Sequence, residues 1–137
     1  MRAAIENRNF KVLAEITMKD SDDLHDICIE CGINYLNLTS KFIKEIVNAL
    51  NYPKKGEENI ICAYTFDAGP NAFIITTESN EKDIMNTINY IFDKTNNYEN
   101  KSDQINTFKK RSSEQGHKIE RIMNFKLGPG VKEISLK

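Results

Sequence analysis

Between Ile60 and Thr77 the chain reads Ile-Ile-Cys-Ala-Tyr-Thr-Phe-Asp-Ala-Gly-Pro-Asn-Ala-Phe-Ile-Ile-Thr-Thr, and no other stretch restricts the fold as much. Two segments rich in β-branched and aromatic residues, Ile60 to Phe66 and Ala72 to Thr77, flank Asp67-Ala68-Gly69-Pro70-Asn71. Those five residue types favour a tight reversal, so the pattern predicts strand, turn and strand. If the second strand folds back on the first, Asp67 stands at a strand end with its carboxylate projecting from the sheet edge. Gly69 then allows a ligand close to the backbone. Turn chemistry alone accounts for the five residue types, and a carboxylate in that place is also a candidate base.

The 137 residues suffice for one domain with a sizeable core, residues 1–137, and are too few for two ordinary ones. From Arg2 to about Glu30 the pattern is helical, a short helix and a longer one broken near Asn7 to Asn9. Phe10, Leu13, Ala14, Thr17, Ser21, Leu24 and Cys28 recur at steps of three and four and predict the buried stripe. Ser21 is the polar member of that stripe, facing a cleft or bonding back to the preceding turn. A second helix, capped by Thr39 or Ser40, presents Phe42, Ile43, Ile46, Val47 and Leu50 and ends before Pro53. A polar loop, Lys54 to Asn59, leads to the hairpin. A third helix, capped by Asn80, presents Ile84, Met85, Ile88, Ile91 and Phe92.

Residues 94–118 are rich in Asn, Lys, Ser, Asp and Glu, with only Tyr98, Ile105 and Phe108 able to pack. They predict a mobile polar insertion or a marginal helix from Ser102 to Gln115, because little apolar burial offsets the entropy of ordering them. Ile119 to Leu127, the Gly128-Pro129-Gly130 turn and Val131 to Leu136 read as a second hairpin. Two hairpins bracketed by helices predict an α+β fold, an antiparallel sheet of about four strands with helices on one face.

A formal net charge of -1 argues against a strongly basic nucleic-acid surface. No apolar run approaches the ~20 residues that cross a bilayer, and Met1-Arg2-Ala3-Ala4 opens a polar helix instead of a signal peptide. The chain thus reads as cytoplasmic, with neither nucleic acid nor membrane as partner. Three cysteines, Cys28, Cys31 and Cys62, make no even disulfide framework and read as reduced thiols. His25, Cys28 and Cys31 invite a zinc or thiol-redox reading. On a continuous helix His25 and Cys31 lie ~9 Å apart along the axis, too far to share one ion. The cluster Asp20, Asp22, Asp23 and Asp26 reads as a solvated helix face, lacking the looped oxygen geometry of a calcium site. No metal site is expected.

Ala63-Tyr64-Thr65-Phe66-Asp67-Ala68-Gly69-Pro70-Asn71-Ala72 resembles the active-site signature of the diphosphomevalonate (mevalonate diphosphate) decarboxylases. Arg8-Asn9-Phe10, Thr17-Met18-Lys19-Asp20-Ser21, His25, Cys28 and Tyr35-Leu36-Asn37 follow in the order and nearly the spacing of that family. Leu127-Gly128-Pro129-Gly130 is a third match. The resemblance covers almost the whole chain and is weakest between about Asp93 and Lys118. Between Cys28 and Tyr35 the family usually carries a pair of prolines and two further residues that this chain lacks.

The resemblance implies that Asp67 is catalytic and that Ala68, Gly69, Asn71 and Ser21 are candidates for substrate binding. It implies the ferredoxin-like C-terminal domain of the small-molecule kinase superfamily that includes galactokinase, homoserine kinase and mevalonate kinase. It implies a reaction in which ATP, with Mg2+, phosphorylates the tertiary hydroxyl of mevalonate 5-diphosphate, after which phosphate and carbon dioxide leave to give isopentenyl diphosphate. The family's glycine- and serine-rich phosphate loop, substrate-binding lysine and catalytic arginine belong to an N-terminal half, and no phosphate-loop pattern occurs here. The chain therefore reads as the C-terminal half, holding no cofactor tightly and inactive alone, with an N-terminal domain and, as a homodimer, a second copy as expected partners. The alternative is a vestigial or repurposed non-catalytic binding module of the same fold.

Overall fold

The computed structural model describes residues 1–51, 59–67, 69–93, 102–126 and 128. In chain order it contains α1 (Arg2–Glu6), α2 (Phe10–Glu30), α3 (Leu38–Asn51), β1 (Cys62–Phe66), β2 (Ala72–Thr76), α4 (Glu78–Ile91) and α5 (Asp103–Gln115). The fold is α+β, as the residue pattern predicts.

β1 and β2 pair antiparallel, with Cys62 opposite Thr76, Tyr64 opposite Ile74 and Phe66 opposite Ala72. β1 is the core strand: Cys62, Ala63, Tyr64 and Phe66 are all buried, while Phe73 and Ile75 of β2 are exposed. A strand covered on both faces needs apolar residues without alternation, which is what Cys-Ala-Tyr-Thr-Phe supplies. Both α2 and α3 pack on β1. Asn51, fully buried at the end of α3, donates to Cys62 O at 2.8 Å and accepts from the Ile61 and Cys62 backbone N–H groups at 3.0 and 3.1 Å. One amide thereby satisfies three backbone groups where β1 begins, groups that would otherwise be buried without partners.

The break between α1 and α2 lies where Asn7 to Asn9 place it. Arg8 turns the chain at φ 50, and Asn9 caps α2 by accepting from Val12 N at 3.1 Å. At the other end Gly32, φ +77, donates to Ile29 O while Ile33 N donates to Cys28 O, closing the helix with a left-handed cap. The buried stripe of α2 is Ala14, Met18, Ser21 and His25. Leu24, expected inside, is exposed, because the stripe turns toward His25.

Helix α3 starts earlier than expected: Asn37 Oδ1 accepts from Ser40 N at 2.8 Å, so Asn37 caps it and Thr39 and Ser40 lie in its first turn. Helix α4 also starts earlier, with extended Thr77 at its cap and Glu78 and Glu81 in the first turn, where acidic charge complements the helix dipole. Asn80, expected as the cap, instead donates its side-chain amide to Thr77 Oγ1.

The helical alternative for the polar segment is the one the structure adopts over α5. Ser102 caps it, Gly116 closes it at φ 68, and Ile105, Phe108 and Ser112 are buried. Phe42 of α3 packs edge-on to Phe108 and Phe92 and stacks on His117 at 4.2 Å, and Tyr90 OH donates to Asn106 Oδ1. These few aromatic contacts hold a helix whose remaining surface is polar. Residues 94–101 lie outside the described residues, as do 52–58. Among the described residues the sheet has two strands: Ile119 to Lys126, expected as a strand, has no ladder partner, and Val131 to Leu136 lie outside them. No described helix is long and apolar enough to cross a membrane.

Candidate active site

The register of the hairpin leaves Asp67 to Asn71 as the connection between Phe66 and Ala72. Asp67, the first residue after β1, is exposed. With Gly69, Asn71 and Phe73 it lines an open concavity of about 230 Å³. A Cβ built on Gly69 meets nothing within 4 Å, so the backbone there faces open space. Ala68 lies outside the described residues.

Ser21 does not line that concavity. It is 3% exposed, and its Oγ accepts the Phe66 backbone N–H at 3.1 Å. Neither sequence expectation for this hydroxyl, facing the cleft or bonding to its own helix, describes that contact. It bonds across to β1 at the residue preceding Asp67. Ser40, which the residue pattern offered only as a cap, is 1% exposed and places Oγ 3.0 Å from Pro70 O. Asn37-x-x-Ser40 is a legible capping pattern, but its reach to Pro70 spans 30 residues and leaves no local signal.

Beneath the loop His25 is buried between Tyr35 and Phe66, with ring centroids 5.1 and 5.7 Å away. Neither ring nitrogen has a partner among the described residues. Burial, then the Lys44 charge, lowers its pKa against the opposing Asp22 and Asp26, so the imidazole is neutral and packs as an aromatic ring. Tyr35 connects this layer to the site: burial, then the Cys28 thiol and the Asp67 charge, raise its phenol above the usual value. On the same face of β1, two residues before Phe66, Tyr64 OH donates to Asp22 Oδ2 at 2.8 Å, and Lys44 pairs with Asp22 Oδ1 at 2.5 Å while lying over the Tyr64 ring. Burial, then the Asp22 bond, pushes the Tyr64 phenol well up, so it remains a donor.

The lining of the concavity is a carboxylate, an amide, a glycine and an aromatic ring. Among the described residues it contains no Lys or Arg, so the described lining does not fit the charges of a nucleoside triphosphate or a diphosphate, which need cations around them. What it offers is an acceptor for a proton. Among the described residues no three His, Cys, Asp or Glu side chains are grouped to hold a metal ion. His25 points into the core, whereas Cys31 is exposed at the helix end.

The family model for the mevalonate 5-diphosphate decarboxylase C-terminal domain matches residues 1–135. The diphosphomevalonate decarboxylase of Debaryomyces hansenii is 41% identical over 101 residues, 72% of this chain and 25% of that protein. The Rattus norvegicus enzyme is 37% identical over 94 residues, 67% of this chain and 23% of that protein. A crystal structure of mevalonate 5-diphosphate decarboxylase superposes with a TM-score of 0.61 at 31% identity, covering 90% of this chain and 32% of that one. Mevalonate diphosphate decarboxylase from Trypanosoma brucei gives 0.59 at 37% identity, over 64% and 23%. The chain spans about a quarter of the length of the relatives it matches. It belongs to the mevalonate 5-diphosphate decarboxylase family and corresponds to its C-terminal domain.

Proposed function

We propose that this chain is the C-terminal catalytic domain of an ATP-dependent diphosphomevalonate decarboxylase, which converts mevalonate 5-diphosphate and ATP to isopentenyl diphosphate, ADP, phosphate and carbon dioxide. Asp67 is the base. An aspartate is ionised at neutral pH, and a poorly acidic tertiary hydroxyl within ~3 Å of it gives up its proton as the hydroxyl oxygen becomes bonded to phosphorus. The observation that carries this reading is an exposed carboxylate at the end of a buried strand, beside an open concavity, inside a ten-residue family signature.

Asn71 and the backbone around Ala68 and Gly69 would contact the substrate, while Ser21 acts through the strand it holds. ATP, its Mg2+ and the cations that neutralise the substrate belong to an N-terminal domain. Leu24, Ile27, Ile33 and Leu38 are apolar and 43 to 74% exposed around the end of α2 and the start of α3, which supports a further polypeptide surface covering them. The reading includes a homodimer in the cytoplasm and a fuller ferredoxin-like sheet of about four strands. The chain alone is inactive. The test is ATP-dependent release of carbon dioxide by the chain alone and mixed with the N-terminal half of a related decarboxylase. Activity that appears on mixing and disappears with Asp67→Asn supports the proposal. Inactivity in every mixture, from a folded chain, favours a repurposed binding module.

A further inference from the structure

We infer that Ser40 is a positioning residue for the Asp67 loop, holding from the first turn of α3 the limb of the loop that Ser21 does not reach. The connection from Asp67 to Asn71 lies outside the β-ladder, so no strand pairing fixes it. Its near limb is anchored where the Phe66 N–H donates to Ser21 Oγ on α2. Its far limb meets α3, where Ser40 Oγ lies 3.0 Å from the Pro70 carbonyl.

Three features make this more than a surface contact. Ser40 is 1% exposed, and a hydroxyl so deeply buried requires a partner. Its backbone N–H donates to Asn37 Oδ1 at 2.8 Å, which fixes the start of the helix and hence the position of its side chain. The hydroxyl has one proton and two acceptors within reach, Pro70 O and Asn37 Oδ1, both at 3.0 Å. Asn37 Oδ1 takes the Ser40 N–H on one lone pair and has a second open to the hydroxyl, so the proton is shared between Asn37 Oδ1 and Pro70 O and the bond to Pro70 ties the loop to the helix cap.

Pro70 magnifies the effect of the bond. Its ring holds φ near -65°, so gripping its carbonyl restrains the one remaining soft torsion of that residue. Gly69, immediately before it, is the freest point of the limb and faces open space. Two serines on two helices thus pin both limbs of a loop that has a glycine between them. A base is effective only when held in line with its proton, so the direction of the Asp67 carboxylate depends on both pins.

The catalytic consequence rests on the reading of Asp67 as base, but the restraint itself is tested without turnover. In the 15N-labelled chain the steady-state 1H–15N NOE of Gly69 and Asn71 is expected near the helix value. Ser40→Ala lowers it and speeds exchange of both amides by roughly fivefold or more, the loss of one net hydrogen bond. The Phe66 amide, held by Ser21, stays protected, and Ser40→Thr, which keeps the hydroxyl, restores the loop. Unchanged Gly69 and Asn71 amides in a folded Ser40→Ala, with loosening confined to the first turn of α3, would overturn the inference and leave Ser40 a helix cap. Should Ser40→Ala not fold, the unmutated chain decides: Gly69 and Asn71 as mobile as the chain ends contradict the restraint. Failure of Asp67 as a base would leave all these readouts unchanged.

Discussion

Ser21 Oγ accepts the backbone N–H of Phe66 at 3.1 Å, across 45 residues of sequence. That bond ties the middle of α2 to the last residue of β1, one residue before the carboxylate that lines the open concavity. Removing it leaves a buried donor without a partner, which costs about 1–3 kcal/mol. Ser21→Ala is expected to lower unfolding free energy by that amount in a urea melt and to expose the Phe66 amide to exchange. A melt within ~0.3 kcal/mol of the unmutated chain would contradict the role given to this serine.

Asn51 serves three backbone groups at once, so its replacement should be severe. Asn51→Leu keeps the volume and removes every bond, leaving Ile61 N, Cys62 N and Cys62 O unsatisfied. About 3 kcal/mol or more of stability should be lost, read as a lower denaturation midpoint at unchanged slope.

Acid should weaken the fold through its two histidines. The pKa values of His25 and His117 are both lowered, chiefly by burial, with Lys44 and Arg111 respectively adding to the effect. A folded-state pKa below the unfolded value means that the unfolded chain takes up the proton first as pH falls. Stability is therefore unaffected above about pH 7, falls as pH drops through ~6.5, and levels only below the folded-state values. Each histidine contributes at most ~1.4 kcal/mol per pH unit. Urea melts between pH 7.5 and 5 should show this loss, and His25→Phe should flatten it.

Helix α5 depends on a small apolar footing. Phe108 is buried against Phe42, while most of the helix is polar and exposed. Phe108→Ala should cost ~3 kcal/mol and release α5 ahead of the rest. Circular dichroism that loses helix at a lower urea concentration than the aromatic signal of the hairpin would show it.

The hairpin and the α1–α2 break were legible because each has a local cause: β-branched runs around Asp-Ala-Gly-Pro-Asn, and asparagines where the helix stops. The inner stripe of α2 was legible only in part. Periodicity assigns Leu24 inward by residue type, whereas His25 lies there because two aromatic rings accept its neutral imidazole. Helix α5 looked marginal since composition does not reveal that Phe42 waits for Phe108. Ile119 to Lys126 alternates like a strand, yet alternation does not supply a partner edge. The position of Asp67, exposed at the end of β1, was legible from the hairpin pattern. The grip of Ser21 on Phe66 and of Ser40 on Pro70 was not, because those contacts join residues 45 and 30 positions apart.

Asp67 is exposed, so exchanging its carboxylate for an amide should leave stability within about 0.5 kcal/mol. The most direct test of the account is carbon dioxide release from mevalonate 5-diphosphate and ATP by this chain mixed with the N-terminal half of a related decarboxylase, with and without Asp67→Asn. The account predicts turnover on mixing and a loss of at least ~10²-fold in the variant, whose melt is unchanged. Equal turnover by the unmutated and Asp67→Asn chains would contradict it.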